Sequence, residues 1–177
     1  MSILDRFVAN STQLTGLLAF AAAAIACWIA SIACRHAGRR DARTWNVLAL
    51  TNFLLFIEIY IGLRHRVTWI VVTLLKSDHL YTRWHGSIQE RIIISIAAMA
   101  LIFAAIILLR RQVSGCAARF ATGIMIALVA LFAIETVSLH AIDAVFYRRI
   151  GPIMTIGWIW AVASMAVCLT AVLDWRK

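Results

Sequence analysis

Charge is scarce in this chain, at 14% of 177 residues, and only 8 of the charged side chains are acidic. A polypeptide so short of polar surface is no ordinary soluble domain, whose apolar fraction is nearer 45–50%. Cysteines are few as well, and Cys27, Cys34, Cys116 and Cys168 fall at no zinc-site or Cys-x-x-Cys spacing, so they are expected to be small apolar helix residues. A glycine-rich phosphate loop and the serine, histidine and aspartate order of a hydrolase are both lacking, which excludes kinase and ATPase chemistry. The apolar runs also lack the alternation of an outer-membrane barrel strand.

What is present is hydrocarbon. Hydrophobic residues make up 63% of the chain and its mean hydropathy is +0.89. The apolar runs are of the length a helix needs to cross a core about 30 Å thick, and helices satisfy their own backbone in lipid, as open strands cannot. The expected fold is an all-α, polytopic transmembrane bundle forming a single domain. The net charge of +9 does not point to nucleic acid, because the arginines cluster between apolar runs, where they act as topology signals and lipid-headgroup contacts.

Five spanning helices are predicted, over about 14–34, 45–66, 92–109, 120–146 and 153–173, with an outer interfacial segment at 67–91. Residues 1–13 form a short polar lead, too weakly basic for a secretory signal. Ala19, Ala23, Cys27 and Ser31 recur every fourth residue, a small-residue stripe that lets another helix approach closely. The densest short basic loop, from Arg35 to Arg43, is expected on the cytoplasmic side, which places the N-terminus outside and the C-terminus inside. On this assignment nine Lys and Arg lie inside and eight outside, so orientation rests on the short inner loops. Trp45, Trp69, Trp84 and Trp175 fit interfacial belts, and Pro152 is placed to open the last helix.

Ionisable residues interrupt two of the apolar runs. Glu58 and His65 lie toward the end of the second, and Glu135, His140 and Asp143 toward the end of the fourth. At 1.5 Å per residue, Glu58 is roughly 20 Å and His65 roughly 30 Å along a helix starting at Trp45, while Glu135 and His140 are roughly 22 Å and 30 Å from Phe120. The acids and histidines therefore match in depth, in the outer leaflet. Glu58 and His65 are about 20° apart around one helix, and Glu135, His140 and Asp143 span about 140°. Charged groups at such depth are expensive and face a cavity, a partner or a ligand.

Carboxylate plus imidazole is a ligand set for zinc, iron, copper or manganese, so Glu58, His65, Glu135 and His140 are candidate metal ligands, with Asp143 as a further ligand or as a group orienting an imidazole. Arg64, Arg66, Arg148 and Arg149 would hold an anionic substrate or headgroup above them. Two alternatives use the same residues. His65 and His140 would serve as axial ligands of a b-type haem, or the acids would pair with Arg64, His65 or His140 to fix helix register without chemistry. His79, Tyr81 and His85 fit a solvated outer segment, and Tyr81, Thr82, Arg83 and Gln89 would cap the pocket as a lid.

The run Tyr81-Thr82-Arg83-Trp84 leading to Gln89, followed by Ser138-Leu139-His140-Ala141-Ile142-Asp143 and a closing apolar helix, resembles a group of small bacterial multi-pass membrane proteins with no assigned activity. It covers the second half of the second helix through the fifth. Arg83-Trp84-His85 replaces the arginine pair associated with the tyrosine motif. The resemblance implies the bacterial inner membrane and implies no chemistry. The enzyme expectation is a redox or hydrolytic role on a lipid-soluble substrate. The competing expectation is a non-catalytic subunit that packs against a larger membrane complex, or against copies of itself, through small-residue faces.

Overall fold

A computed structural model describes the backbone of residues 3–62, 66, 69, 73, 87–109, 115–137 and 140–176, and their side chains except at 3–9, 87–89, 107–109 and 140–142. The order is α1 (Ile3–His36), α2 (Ala42–Ile61), α3 (Ser87–Leu109), α4 (Cys116–Val137), α5 (His140–Phe146), β1 (Arg149–Ile150), β2 (Ile153–Met154) and α6 (Thr155–Trp175). Four stretches, Asn10–His36, Ala42–Ile61, Cys116–Val137 and Thr155–Trp175, are long and apolar enough to cross a bilayer. The protein is a helical membrane bundle. Its helices α1, α2, α4 and α6 close a ring of contacts, α1 on α2 and α6, and α4 on α2 and α6, while α3 lies against α4.

Each helix of the ring buries a narrow stripe. In α4 the buried positions are Ala118, Ala121, Met125, Leu128, Phe132 and Glu135, and in α6 Gly157, Trp160, Ser164, Val167, Ala171 and Asp174. Both alternate steps of three and four, the seam of antiparallel bundles with crossing angles near 20°. The stripe of α1 runs through Phe20, Ala23, Cys27, Ala30 and Cys34, so the expected small-residue face is the one that packs. Leu18, Ile25, Val47, Phe53, Val162 and Leu169 stay exposed, as residues against lipid should.

At one end of the bundle α1 turns into α2 and α6 finishes; here we call it the loop end. At the other, the hairpin end, Gln13 Nε2 donates to the carbonyl of Ile59 (3.1 Å) and Met154 N–H donates to Thr12 Oγ1 (2.9 Å). Beneath this end Phe132 stacks on Trp160 and Phe20 meets both rings at steep angles, with centroids 5.6 to 6.3 Å apart, which joins α1, α4 and α6.

Several boundaries differ from the expectation. The polar lead is helical from Ile3, and within it Thr12 and Gln13 bond β2 and α2. Helix α2 stops at Ile61, where Gly62 adopts a left-handed conformation (φ 67°) and its N–H bonds the carbonyl of Glu58 at 2.7 Å, a glycine stop signal. The span expected over 120–146 is divided into α4 and α5. Pro152 does not open the last helix. It follows Gly151 (φ 68°) in the two-residue loop between β1 and β2, whose first position requires a positive φ, and α6 starts only at Thr155. Most of 67–91, including Tyr81, Thr82, Arg83, Trp84, His79 and His85, lies outside the described residues.

Close approach at the hairpin end depends on Gly16, where an added Cβ would stand 2.6 Å from Ile59 Cδ1 and 2.7 Å from the Trp160 ring. Replacing Gly16 by alanine should cost about 1–3 kcal/mol by overpacking, read as a lower unfolding midpoint in detergent. Gly123→Ala, with nothing within 4 Å of its added Cβ, should leave the midpoint unchanged or raise it slightly.

Candidate functional site

Glu135 occupies a core position of α4, and it is only 5% exposed. A bare carboxylate there would carry a desolvation cost of several kcal/mol, so its oxygens need donors. Tyr147 supplies one, its hydroxyl donating to Glu135 Oε1 at 2.8 Å. The ring is brought back over α4 by α5, since Tyr147 N–H closes the last turn on the carbonyl of Asp143 at 2.9 Å. Arg148 then leads into β1, and its carbonyl accepts both the N–H and the hydroxyl of Thr155 at 2.9 and 3.0 Å.

The remaining predicted residues take varied positions. Glu58 is half-buried in the last turn of α2, one residue before the buried Ile59. Asp143 is half-buried in α5, whose first residue is His140. Arg66, Arg148 and Arg149 are exposed. His65, Arg64 and the side chain of His140 lie outside the described residues. Gly62 ends α2 before His65, and His140 is the first residue of α5. Among the described residues, no group of three or more histidine, cysteine, aspartate or glutamate side chains is placed to hold a metal ion.

A second polar cluster, at the loop end, was not anticipated. Asp174, 1% exposed, accepts Arg39 Nη2 at 2.6 Å on one oxygen and Trp45 Nε1 at 2.8 Å on the other, while Arg39 Nη1 donates to its carbonyl at 2.8 Å. The Cys34 thiol lies 3.7 Å from the same carboxylate. Arg39 also reaches Asp41 at 3.3 Å, and Asp41 in turn accepts the N–H of Gly115 at 2.8 Å, an anion at the start of α4. Its hydrogen bond to Asp174 raises the Arg39 guanidinium above its already high range, so Arg39 keeps its charge at any working pH. Trp45 is therefore a buried donor and not a belt residue, and Arg39 is a structural cation. The sequence did carry a sign of this: Asp174 falls in phase with the buried stripe of α6.

The two clusters predict different losses. Arg39→Gln leaves the Asp174 carboxylate without its cation and should cost about 2–3 kcal/mol, below the 3–5 typical of a fully buried pair because the Arg39 side chain is 27% exposed. The double variant with Asp174→Asn should recover much of that, measured by thermal unfolding in detergent. Tyr147→Phe should cost about 1–2 kcal/mol through the donor lost to Glu135, and Glu135→Gln in the same background should add little. Comparison with protein families, with curated proteins and with solved structures found no match to this chain.

Proposed function

We propose that the chain is a five-pass protein of the bacterial inner membrane, N-terminus outside, with a metal ion held beneath its outer surface at Glu135. The fifth pass is α3, 23 residues long and about 35 Å at the helical rise, enough to cross the hydrocarbon. The observation that carries the site is Glu135 itself, an acid at a core position, buried, with one oxygen oriented by the Tyr147 hydroxyl. Such outer hydrogen bonds orient ligating carboxylates. Glu58 near the same end of the bundle, His140 and Asp143 on α5, and His65 beyond Gly62 complete the ligand set in this reading. A zinc, iron, manganese or copper ion there would polarise a substrate oxygen or activate a bound water or dioxygen, giving hydrolytic or redox chemistry on a lipid-soluble substrate that enters from the bilayer.

A second reading, a non-catalytic subunit of a larger membrane complex, is favoured by one fact: the described side chains at this end do not converge as a set of three ligands.

Metal content of gently purified protein separates the two. One ion per chain, lost in Glu135→Gln while the fold is kept, is the expected result; an absorption spectrum distinguishes haem iron from non-haem iron. Metal-free wild-type protein assigns the chain to the second reading. Orientation has its own test, since Cys116 is exposed at the start of α4 while Cys27 and Cys34 are buried. A membrane-impermeant thiol reagent should label Cys116 in inverted vesicles and leave it unlabelled in intact spheroplasts.

A further inference from the structure

Between α4 and α6 a groove of about 620 Å³ opens on the lipid-facing side of the bundle. Ala127, Ala163 and Ala166 leave its floor without side-chain bulk, and Leu131 forms part of one wall. A lining of this kind offers nothing to a polar ligand and suits a hydrocarbon chain. The mouth of the groove has a different character. Thr155 and Trp158 line it there, and both are tied to the hairpin: Thr155 bonds the carbonyl of Arg148, and Trp158 Nε1 donates to the carbonyl of Ile150 at 3.0 Å. The backbone of Arg148 and Ile150 is therefore bonded to two residues of this apolar slot, Arg148 itself is exposed, and the Trp158 ring fits the membrane interface.

We infer that this groove is a binding site for one anionic phospholipid, an acyl chain lying between α4 and α6 and the phosphate meeting Arg148 at the lip. A cation near the membrane surface attracts anionic headgroups by about 1 kcal/mol each, which discriminates about fivefold against a zwitterionic lipid. A second copy of the chain is the poorer occupant. Two copies inserted with the same orientation would bring their arginine-bearing lips together. The site stands whether or not Glu135 holds a metal, and it takes Arg148 as a headgroup contact.

The test is competition in nanodiscs containing equal phosphatidylglycerol and phosphatidylethanolamine with matched chains, followed by native mass spectrometry of the released protein. Wild-type protein should retain one lipid, phosphatidylglycerol about fivefold over phosphatidylethanolamine. Arg148→Gln should bring the two lipids close to parity, whereas Arg40→Gln at the opposite end should not change the ratio. Ala163→Phe should displace both lipids by filling the slot; Ala127→Leu, at an exposed position of the same groove, does the same if the first variant fails to fold. Equal retention of both lipids by the wild type would overturn the inference, as would a preference that survives Arg148→Gln or retention unaffected by the groove-filling variants. A lipid-free dimer joined by a disulfide between Ala127→Cys of one copy and Ala163→Cys of the other would overturn it too and give the groove to a second copy instead.

Discussion

A carboxylate sealed inside a bundle clad in hydrocarbon survives only where donors surround it, and the loop end is arranged around that requirement at Asp174. Its two oxygens take a guanidinium and an indole N–H, which come from the α1–α2 turn and from the first turns of α2. The same guanidinium reaches Asp41, and Asp41 reaches the start of α4. One buried charge thus sets where α1, α2, α4 and α6 stand relative to one another. Buried ion pairs are seldom strongly stabilising in total, since an apolar replacement of similar shape often does as well. Their contribution here is register: sliding α6 by one turn would separate Asp174 from both donors and leave it charged in hydrocarbon.

The fold class was legible because composition and run length leave few choices in lipid, and the faces were legible because small and apolar residues recur at helical spacing. Ala23, Cys27 and Ser31 all pack as their spacing indicates. Helix ends were less legible. Gly62 is a stop signal only if it turns left-handed, and Thr12 and Gln13 in α1 bond partners on β2 and α2 that no local pattern reveals. Pro152 fits two local roles equally well, a first helical position and a hairpin loop, and the glycine before it tips the balance to the loop.

The acids teach a sharper lesson. Glu135 and Asp174 both lie in phase with the three-and-four stripe of their own helix, and both are buried; Glu58 lies one position off its stripe and is half-buried. Within a helix, phase with the core stripe is therefore the sequence signal for a buried acid; Asp41, also buried, precedes α2 and is held by Arg39 and the Gly115 N–H instead. Depth along an assumed straight helix is a weaker guide. Tyr147 escaped notice because its hydroxyl reaches Glu135 from twelve residues further along the chain, beyond α5. Arg39 escaped because its partner lies 135 residues later in the chain.

That separation has a consequence for how the molecule is made. Helices α1 and α2 leave the ribosome as a neighbouring pair, with Arg39 and Trp45 already in place, yet the carboxylate that both require arrives only with the last turn of α6. Until α6 is made, the Arg39 guanidinium and the Trp45 indole N–H lack that carboxylate. Closing contacts of such long sequence separation make the final docking of α6 a late and slow event. The half-made bundle is thus the form most exposed to proteases and to wrong partners.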